Sequence, residues 1–404
     1  MSSRLERLRA CTNGYTVTPR QYAYVAYAAL VALTLIVLSG AAVRLTGSGL
    51  GCPDWPRCYG HAYPPLNTHA VIEFSNRMIT VPVSIFAGAA WLLALRRRPY
   101  RRDLMWLGAL LPLGVIGQAV LGGFTVRGAL DYGWVMGHFA LSMLILLAAA
   151  VLAWRAGHES ALLEIEATEA GTPHAPLAAE GESAAAGAPF SANGPHVEVP
   201  ANGAAANGAA ANGTPANGAS EPLAGADVAA GPDRPEERSL ILWLRGLVAL
   251  GALTIFAGTA ATAAGPHAGG SPGQRINRLD FDGHGTMDFV IHRHGEIALL
   301  FGLVSLALWF LARRRHASRP VQRSLTVLCV LLALQGVVGL DQYKTHLPTQ
   351  LVWVHVGLAC GAWLAAIWAA LAAGALAPRR STIAPERAPS VQVAAPRPVE
   401  FPGN

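Results

Sequence analysis

Four histidines fall in or beside long apolar runs, where an ionisable side chain is costly and usually functional. His138 sits in "VMGHFALSM", His355 in "VWVHVGLAC", and His292 and His294 in "VIHRHGEIALL". Two imidazoles facing each other from neighbouring helices are the usual axial clamp for a haem iron. Zinc would call for a third or fourth ligand from cysteine, histidine or carboxylate, and no such set appears at that depth, so the pattern favours an iron porphyrin. His292 and His294 are two positions apart and cannot both face one helix axis. The dipeptide "HR" at 292–293 matches "NR" at Asn76-Arg77, which selects His292 and leaves His294 as the alternative.

A second cluster lies in "HAVIEFSNRMIT". Glu73 and Arg77 are four apart and share a helix face with Asn76. A carboxylate at the start of an apolar helix suits proton transfer, and the competing reading is a structural ion pair with Arg77. His69, one turn earlier, is placed to bond Glu73 or a ligand, or to stand in solvent. Just before this helix, "GSGLGCPDWPRC" holds Cys52 and Cys58.

These residues need a scaffold. The chain is 52% hydrophobic and 13% charged, against about 25% charged in a soluble domain. Its apolar residues form eight blocks, near 22–43, 70–95, 103–125, 132–154, 239–262, 288–312, 321–341 and 349–376. Each is long enough to cross a bilayer, and soluble helices rarely stay apolar on every face. An all-α, polytopic membrane protein follows. The net charge of +6 does not point to nucleic acid, because the arginines cluster in alternate loops: Arg4, Arg7, Arg9 and Arg20, then "RRRPYRR" (96–102), "RRRHASR" (313–319), and Arg379-Arg380. Cationic loops mark the cytoplasmic side, so both termini are expected inside and the Cys52/Cys58 loop outside. In an oxidising compartment a close cysteine pair favours a disulfide over a metal site. The first span is too long, and lacks the small-residue cleavage site, for a cleaved signal peptide. Cys11, Cys329 and Cys360 read as small hydrophobes.

Composition divides the chain into a cytoplasmic N-terminus (1–21), a first membrane bundle (22–154), an Ala/Gly/Asn-rich linker (155–238), a second bundle (239–376) and a C-terminal tail (377–404). "ANG" recurs through the linker, which has too little apolar surface to order itself. The halves look alike. Gln118 precedes His138, and Gln335 precedes His355, by the same spacing, while "GAAVRLTG" (40–47) and "GTAATAAG" (258–265) close the first and fifth spans. Two pseudo-repeated four-helix bundles are expected, related by an axis along the membrane normal.

Taken together, "VRLTGSGLGCPDWPRCYG", "AVIEFSNR" and the ordered histidines resemble the haem A synthase family, over roughly residues 22–376 without the linker. "TAAGPHAGG" resembles its actinobacterial branch. The resemblance implies oxidation of a methyl group of haem O to a formyl group, giving haem A for terminal oxidases. It implies a haem b in one bundle and the substrate porphyrin in the other, with Glu73 as the essential carboxylate. His138, His292 and His355 match three of the family's four histidines, and Asn76 stands at the fourth position. A substrate porphyrin held by His138 alone would keep an open face. The resemblance also places a Cys52–Cys58 disulfide near the substrate site, with Asn76, Arg77 and His69 as supports, acting as a static clamp in preference to a thiol relay. The family's second cysteine pair is absent, and His267 sits in that loop. Expected partners are haem O synthase, cytochrome oxidase assembly factors, the lipid bilayer and an electron donor of unspecified kind; a homo-oligomer is left open.

Three other classes fit the sequence less well. A bare b-type cytochrome, passing electrons between quinol and a partner, needs the histidines but not Glu73. A thiol-oxidising enzyme needs a Cys-x-x-Cys pair, which the sequence lacks. A transporter wants polar groups at mid-membrane, whereas these cluster at the outer ends.

Overall fold

The computed structural model describes residues 16–171, 235–271, 273–281 and 285–374. Cys11, the Arg4, Arg7 and Arg9 cluster, most of the linker and the C-terminal tail lie outside the described residues. Eight helices account for nearly all of what is described: α1 (Pro19–Leu45), α2 (Thr68–Arg96), α3 (Arg102–Arg127), α4 (Tyr132–Gly171), α5 (Pro235–Ala264), α6 (Thr286–Arg314), α7 (Arg319–Lys344) and α8 (Thr349–Ala372). All eight are long and apolar enough to cross a membrane. The described residues form no strand beyond two isolated bridges.

Local signals set the helix starts. Thr18 and Gln21 form a reciprocal capping box around Pro19, the first helical residue, which satisfies amide groups that the helix itself leaves unpaired. Asn67 caps α2 by accepting the Ala70 amide at 2.8 Å. Pro82 and Pro112 lie inside α2 and α3, as proline does in spans where neighbouring helices re-satisfy the backbone.

The duplication is written in the helix lengths. α2 and α6 each have 29 residues, and α3 and α7 each have 26. Counted from the helix start, Gln118 and Gln335 take the same position, as do His138 and His355. So do Asn76 and His294; the "HR"/"NR" match had instead set Asn76 against His292.

The first core packs alanines from α1, α2 and α4, including Ala26, Ala29, Ala87, Ala90, Ala149 and Ala153, around Leu104, Leu111 and Leu146. Small residues allow the close helix approach that drives association in lipid. Tyr22 sends its hydroxyl to the Ala90 carbonyl at 2.9 Å. The second core is built on Leu244, Leu247, Leu325 and Leu328. Helix α8 serves both: Trp363 and Ile367 join the first core, while Ala362, Ala366, Ala369 and Ala370 join the second. Trp363 fixes this wall by donating to the Met143 carbonyl at 3.2 Å.

Helix α4 runs to Gly171, beyond the boundary at 154 set by composition. Its added turns carry charge with partners. Glu159 meets the fully buried Arg97 at 2.8 Å and Arg101 at 2.8 Å, and Arg155 reaches Asp103 at 3.3 Å. A buried guanidinium persists only when paired, so the polar network extends the helix where hydropathy ends.

At the opposite end, the segment after α5 is hydrogen-bonded to the loop after α1. The Gly49 amide donates to the Gly269 carbonyl at 2.9 Å, Ser271 Oγ to the Gly47 carbonyl at 2.8 Å, and Arg44 Nε to the His267 carbonyl at 3.1 Å. Gly47 has φ +65°, and a Cβ there would lie 2.8 Å from the Gly270 oxygen, so this approach needs glycine.

Candidate functional site

In the second half, α6 brings His294 against His355 of α8. Their ring centroids are 6.2 Å apart, with planes at 76°. His294 Nδ1 hydrogen-bonds the Thr254 carbonyl of α5 at 3.1 Å. That bond makes Nδ1 the N–H donor and leaves Nε2 with its lone pair, the usual arrangement for a metal-ligating imidazole. Gly258, one turn after Thr254, makes room for the ring: a Cβ there would lie 3.0 Å from His294 Cε1.

His292 is exposed and turned elsewhere. Its Nδ1 bonds the Asp288 carbonyl of its own helix at 2.7 Å, and its ring meets the edge of Tyr343 at 6.3 Å. Arg293 pairs with Glu296 at 2.6 Å on the exposed surface.

The donor set fits a haem. A metal–imidazole bond of about 2 Å on each side of one ion separates the two ring centroids by about 6 Å, close to the spacing of His294 and His355. Among the described residues, no group of three or more histidine, cysteine or carboxylate side chains converges as a zinc site would require.

The first half repeats the frame with a different ligand position. His138 of α4 lies beside Gly122 of α3, where a Cβ would sit 3.7 Å from its Cε1. Asn76 takes the place of His294. Its Oδ1 accepts from Ser39 Oγ at 2.7 Å, and Ser39 also reaches the Ile36 carbonyl at 3.1 Å. Ile36 is the counterpart of Thr254 when "GAAVRLTG" is laid on "GTAATAAG". Gly40, the counterpart of Gly258, would meet nothing within 4 Å if it carried a Cβ. The side opposite His138 therefore has more room than the corresponding side of the second half.

Glu73 is 5% exposed. Its carboxylate accepts the Cys52 amide at 2.7 Å and pairs with Arg77 one turn on. Arg77 also donates to the carbonyls of Asp54 at 3.0 Å and Arg57 at 2.9 Å. Cys52 and Cys58 form a disulfide whose sulfurs are fully buried against Ala70 and Phe74. Trp55 of the same loop lies on Gly123 of α3, where a Cβ would come within 3.3 Å of the indole. Within the loop, Asp54 accepts the amides of Gly60 at 2.7 Å and Tyr59 at 2.6 Å. The Gly60 amide, with help from that of Tyr59, holds its carboxyl below the usual range. His69 bonds Ser48 through Nδ1 at 3.0 Å rather than any Glu73 oxygen. His267 reaches the Leu347 carbonyl at 2.7 Å.

Thus Glu73, Arg77 and the disulfide loop converge, His294 and His355 converge, and His292 stands apart. Thr254 and Ser39 were not singled out by sequence. Repeat register was the signal for Ser39 and Gly258, which fall beside or at the start of the matched 40–47 and 258–265 segments.

The fold and donor set define a duplicated helical membrane protein with a facing imidazole pair in one half and a carboxylate-clamped disulfide loop in the other. Residues 23–179 match a family described as cytochrome oxidase assembly protein. The chain is 36% identical over 128 residues to a heme A synthase of Lysinibacillus sphaericus, covering 31% of this chain and 39% of that protein. It is 32% identical over 142 residues to one of Bacillus pumilus, covering 35% and 44%. It is 33% identical over 140 residues to one of Shewanella oneidensis, covering 29% and 42%. The chain spans about two fifths of the length of the curated relatives it matches.

Proposed function

We propose that this protein is a membrane oxidoreductase that converts haem O to haem A by oxidising a ring methyl to a formyl group. The carrying observation is the facing His294–His355 pair with Nδ1 of His294 tied to a backbone carbonyl, alongside similarity to heme A synthases over the matched stretches. On this reading His294 and His355 hold a haem b, with His292 outside the ligand set. His138 holds the substrate porphyrin on one face only, Asn76 lying opposite. A bound porphyrin iron supplies the redox chemistry.

The chain's own residues do the rest. The disulfide loop, fastened by Glu73 and Arg77, covers the outer end of the first half and restricts water. Glu73 is proposed as the catalytic carboxylate, moving protons at its Oε atoms beside the substrate. Ser39 and Asn76 present hydrogen-bonding groups to the open side. Arginine clusters at 96–102 and 313–319 support a cell-membrane orientation with both termini cytoplasmic and Cys52–Cys58 outside. "TAAGPHAGG" supports an actinobacterial-like branch. Haem O synthase and oxidase assembly factors are the proposed partners.

The test is a chromatographic haem profile after co-expression with a haem O-forming enzyme. Formyl haem should appear with the wild type and with Glu296→Ala, and vanish with Glu73→Ala. Bound haem without product from the wild type would instead mark a b-type cytochrome that only carries electrons.

A further inference from the structure

The two glutamines that repeat with the histidines have no role in the function described so far. Each begins a Gln-x-x-x-Gly segment: Gln118 to Gly122 on α3, and Gln335 to Gly339 on α7. Residues four apart share a helix face, and both members of each pair touch the histidine of the next helix. Gln118 Nε2 donates to the His138 carbonyl at 3.0 Å, and Gln335 Nε2 donates to the His355 carbonyl at 3.0 Å. Gln118 also reaches Ser142 Oγ at 2.7 Å.

A carbonyl can only accept, so the amino end of each amide must face it, and this fixes where each Oε1 lies. Among the described residues, Gln118 Oε1 and Gln335 Oε1 are both buried without a direct partner, and so are His138 Nδ1 and His355 Nδ1. The same two orphans thus recur in both halves, an acceptor and a ring nitrogen. A Cβ at Gly339 would lie 3.3 Å from Cε1 and 3.7 Å from Nδ1 of His355, so the Nδ1 edge of that ring faces the Gln-x-x-x-Gly side of α7. Buried polar groups in native proteins seldom stay unpaired.

We infer that Gln118 and Gln335 are positioning residues, each accepting, across one bridging water, the Nδ1–H of the imidazole whose backbone it also anchors. In the second half this completes a symmetric support: Thr254 holds the far nitrogen of His294, and Gln335 that of His355. The tautomer is then set in both rings, with Nε2 presented to the ligand. A stronger acceptor at Nδ1 makes the imidazole a stronger donor to a metal and so favours the oxidised ion.

This inference rests on the haem reading above, and its test separates the two. The full chain loaded with haem b is titrated redox-metrically as wild type, Gln335→Met and Gln335→Glu. Methionine removes the acceptor and should raise the midpoint potential of the His294–His355 haem while its low-spin spectrum persists. Glutamate keeps an oxygen in place and should leave the potential at or below the wild-type value. Deuterium hyperfine spectroscopy of the oxidised wild type in heavy water should show both ligand N–D groups hydrogen-bonded, a measurement that needs no variant to fold. An unmoved potential in Gln335→Met, an equal rise in both variants, or one free N–D overturns the assignment while leaving the haem site intact. A wild type that takes up no haem b overturns the functional reading as well.

Discussion

Replacing Arg77 with alanine tests whether Glu73 does more than fasten a loop. Arg77 holds four acceptors: the Glu73 carboxylate and the carbonyls of Asp54 at 3.0 Å, Arg57 at 2.9 Å and Pro56 at 3.4 Å. Hydrogen bonds to charged groups contribute about 1.5–3 kcal/mol each. The side chains of Arg77 and Glu73 are 14% and 7% exposed, so water replaces part of what is lost, and the full sum overstates the effect. A loop-opening penalty reduced by about 3 kcal/mol is the working figure, between one bond and the full set. At about 1.4 kcal/mol per tenfold change, the open population rises about a hundredfold. The sulfurs are fully buried, so reduction by a water-soluble phosphine reports opening, read by labelling with a membrane-impermeant maleimide. Glu73→Gln keeps an oxygen for the Cys52 amide and should loosen the loop less, by about tenfold. Haem conversion is measured on the same preparations. Loss of conversion in Glu73→Gln, with partial conversion in the looser Arg77→Ala, separates chemistry from fastening. A reduction rate in Arg77→Ala within threefold of wild type refutes the clamp. Conversion that falls in step with loop opening in both variants refutes a separate catalytic role for Glu73.

Three further outcomes are expected. His294→Ala should abolish the low-spin, two-imidazole haem spectrum, whereas His292→Ala should retain it; the reverse result removes His294 from the ligand set. Asn76→His should close the open face of the first half, so that carbon monoxide binding to the reduced protein falls from one haem site to none while the second site's spectrum is unchanged. The carboxyl of Asp54 has its pKa depressed in the folded loop, so its contribution is complete above the ordinary carboxylate range and is lost as pH falls through the lower folded value. Protection from hydrogen exchange across 50–62, taken relative to the free-peptide rate at each pH, should therefore drop only at acid pH in the wild type. In Asp54→Asn the same segment should exchange faster at neutral pH and lose that acid step.

The eight spans were legible because apolar length is a local property that the bilayer reads directly. The Cys52–Cys58 bond was legible too, from six-residue spacing in a loop that the charge pattern predicts to lie outside. The end of α4 was not, because Arg155 and Glu159 look like linker residues until Arg97, Arg101 and Asp103 are brought beside them. Nor was the orientation of the 292–294 pair. A dipeptide match favoured His292, whereas the helix register is set by the distant Thr254 carbonyl and by space at Gly258. The hydrogen bonds between 47–49 and 269–271 end on backbone carbonyls more than two hundred residues away, one donated by the Gly49 amide and one by the Ser271 hydroxyl, and a backbone acceptor carries no sequence signature beyond the glycines that admit the approach.

What duplication kept and what it changed divide cleanly between helices. The α3–α4 and α7–α8 pairs retain the same Gln-x-x-x-Gly segment, the same histidine and the same amide-to-carbonyl bond. The α1–α2 and α5–α6 pairs have diverged at the positions facing those histidines. Asn76 replaces His294, Ser39 supplies a hydroxyl where α5 supplies only the Thr254 carbonyl, and the position of Glu73 falls on Ile291. Under the proposed function the retained side supplies one histidine toward a porphyrin in each half. The buried carboxylate, its guanidinium and the disulfide loop all sit on the diverged side of one half alone. Under the proposed function the bond-changing step therefore belongs to the first half, at the α1–α2 face. The second half, where the Thr254 carbonyl ties down the His294 ring, is suited under the same reading to hold a haem without reacting at its periphery.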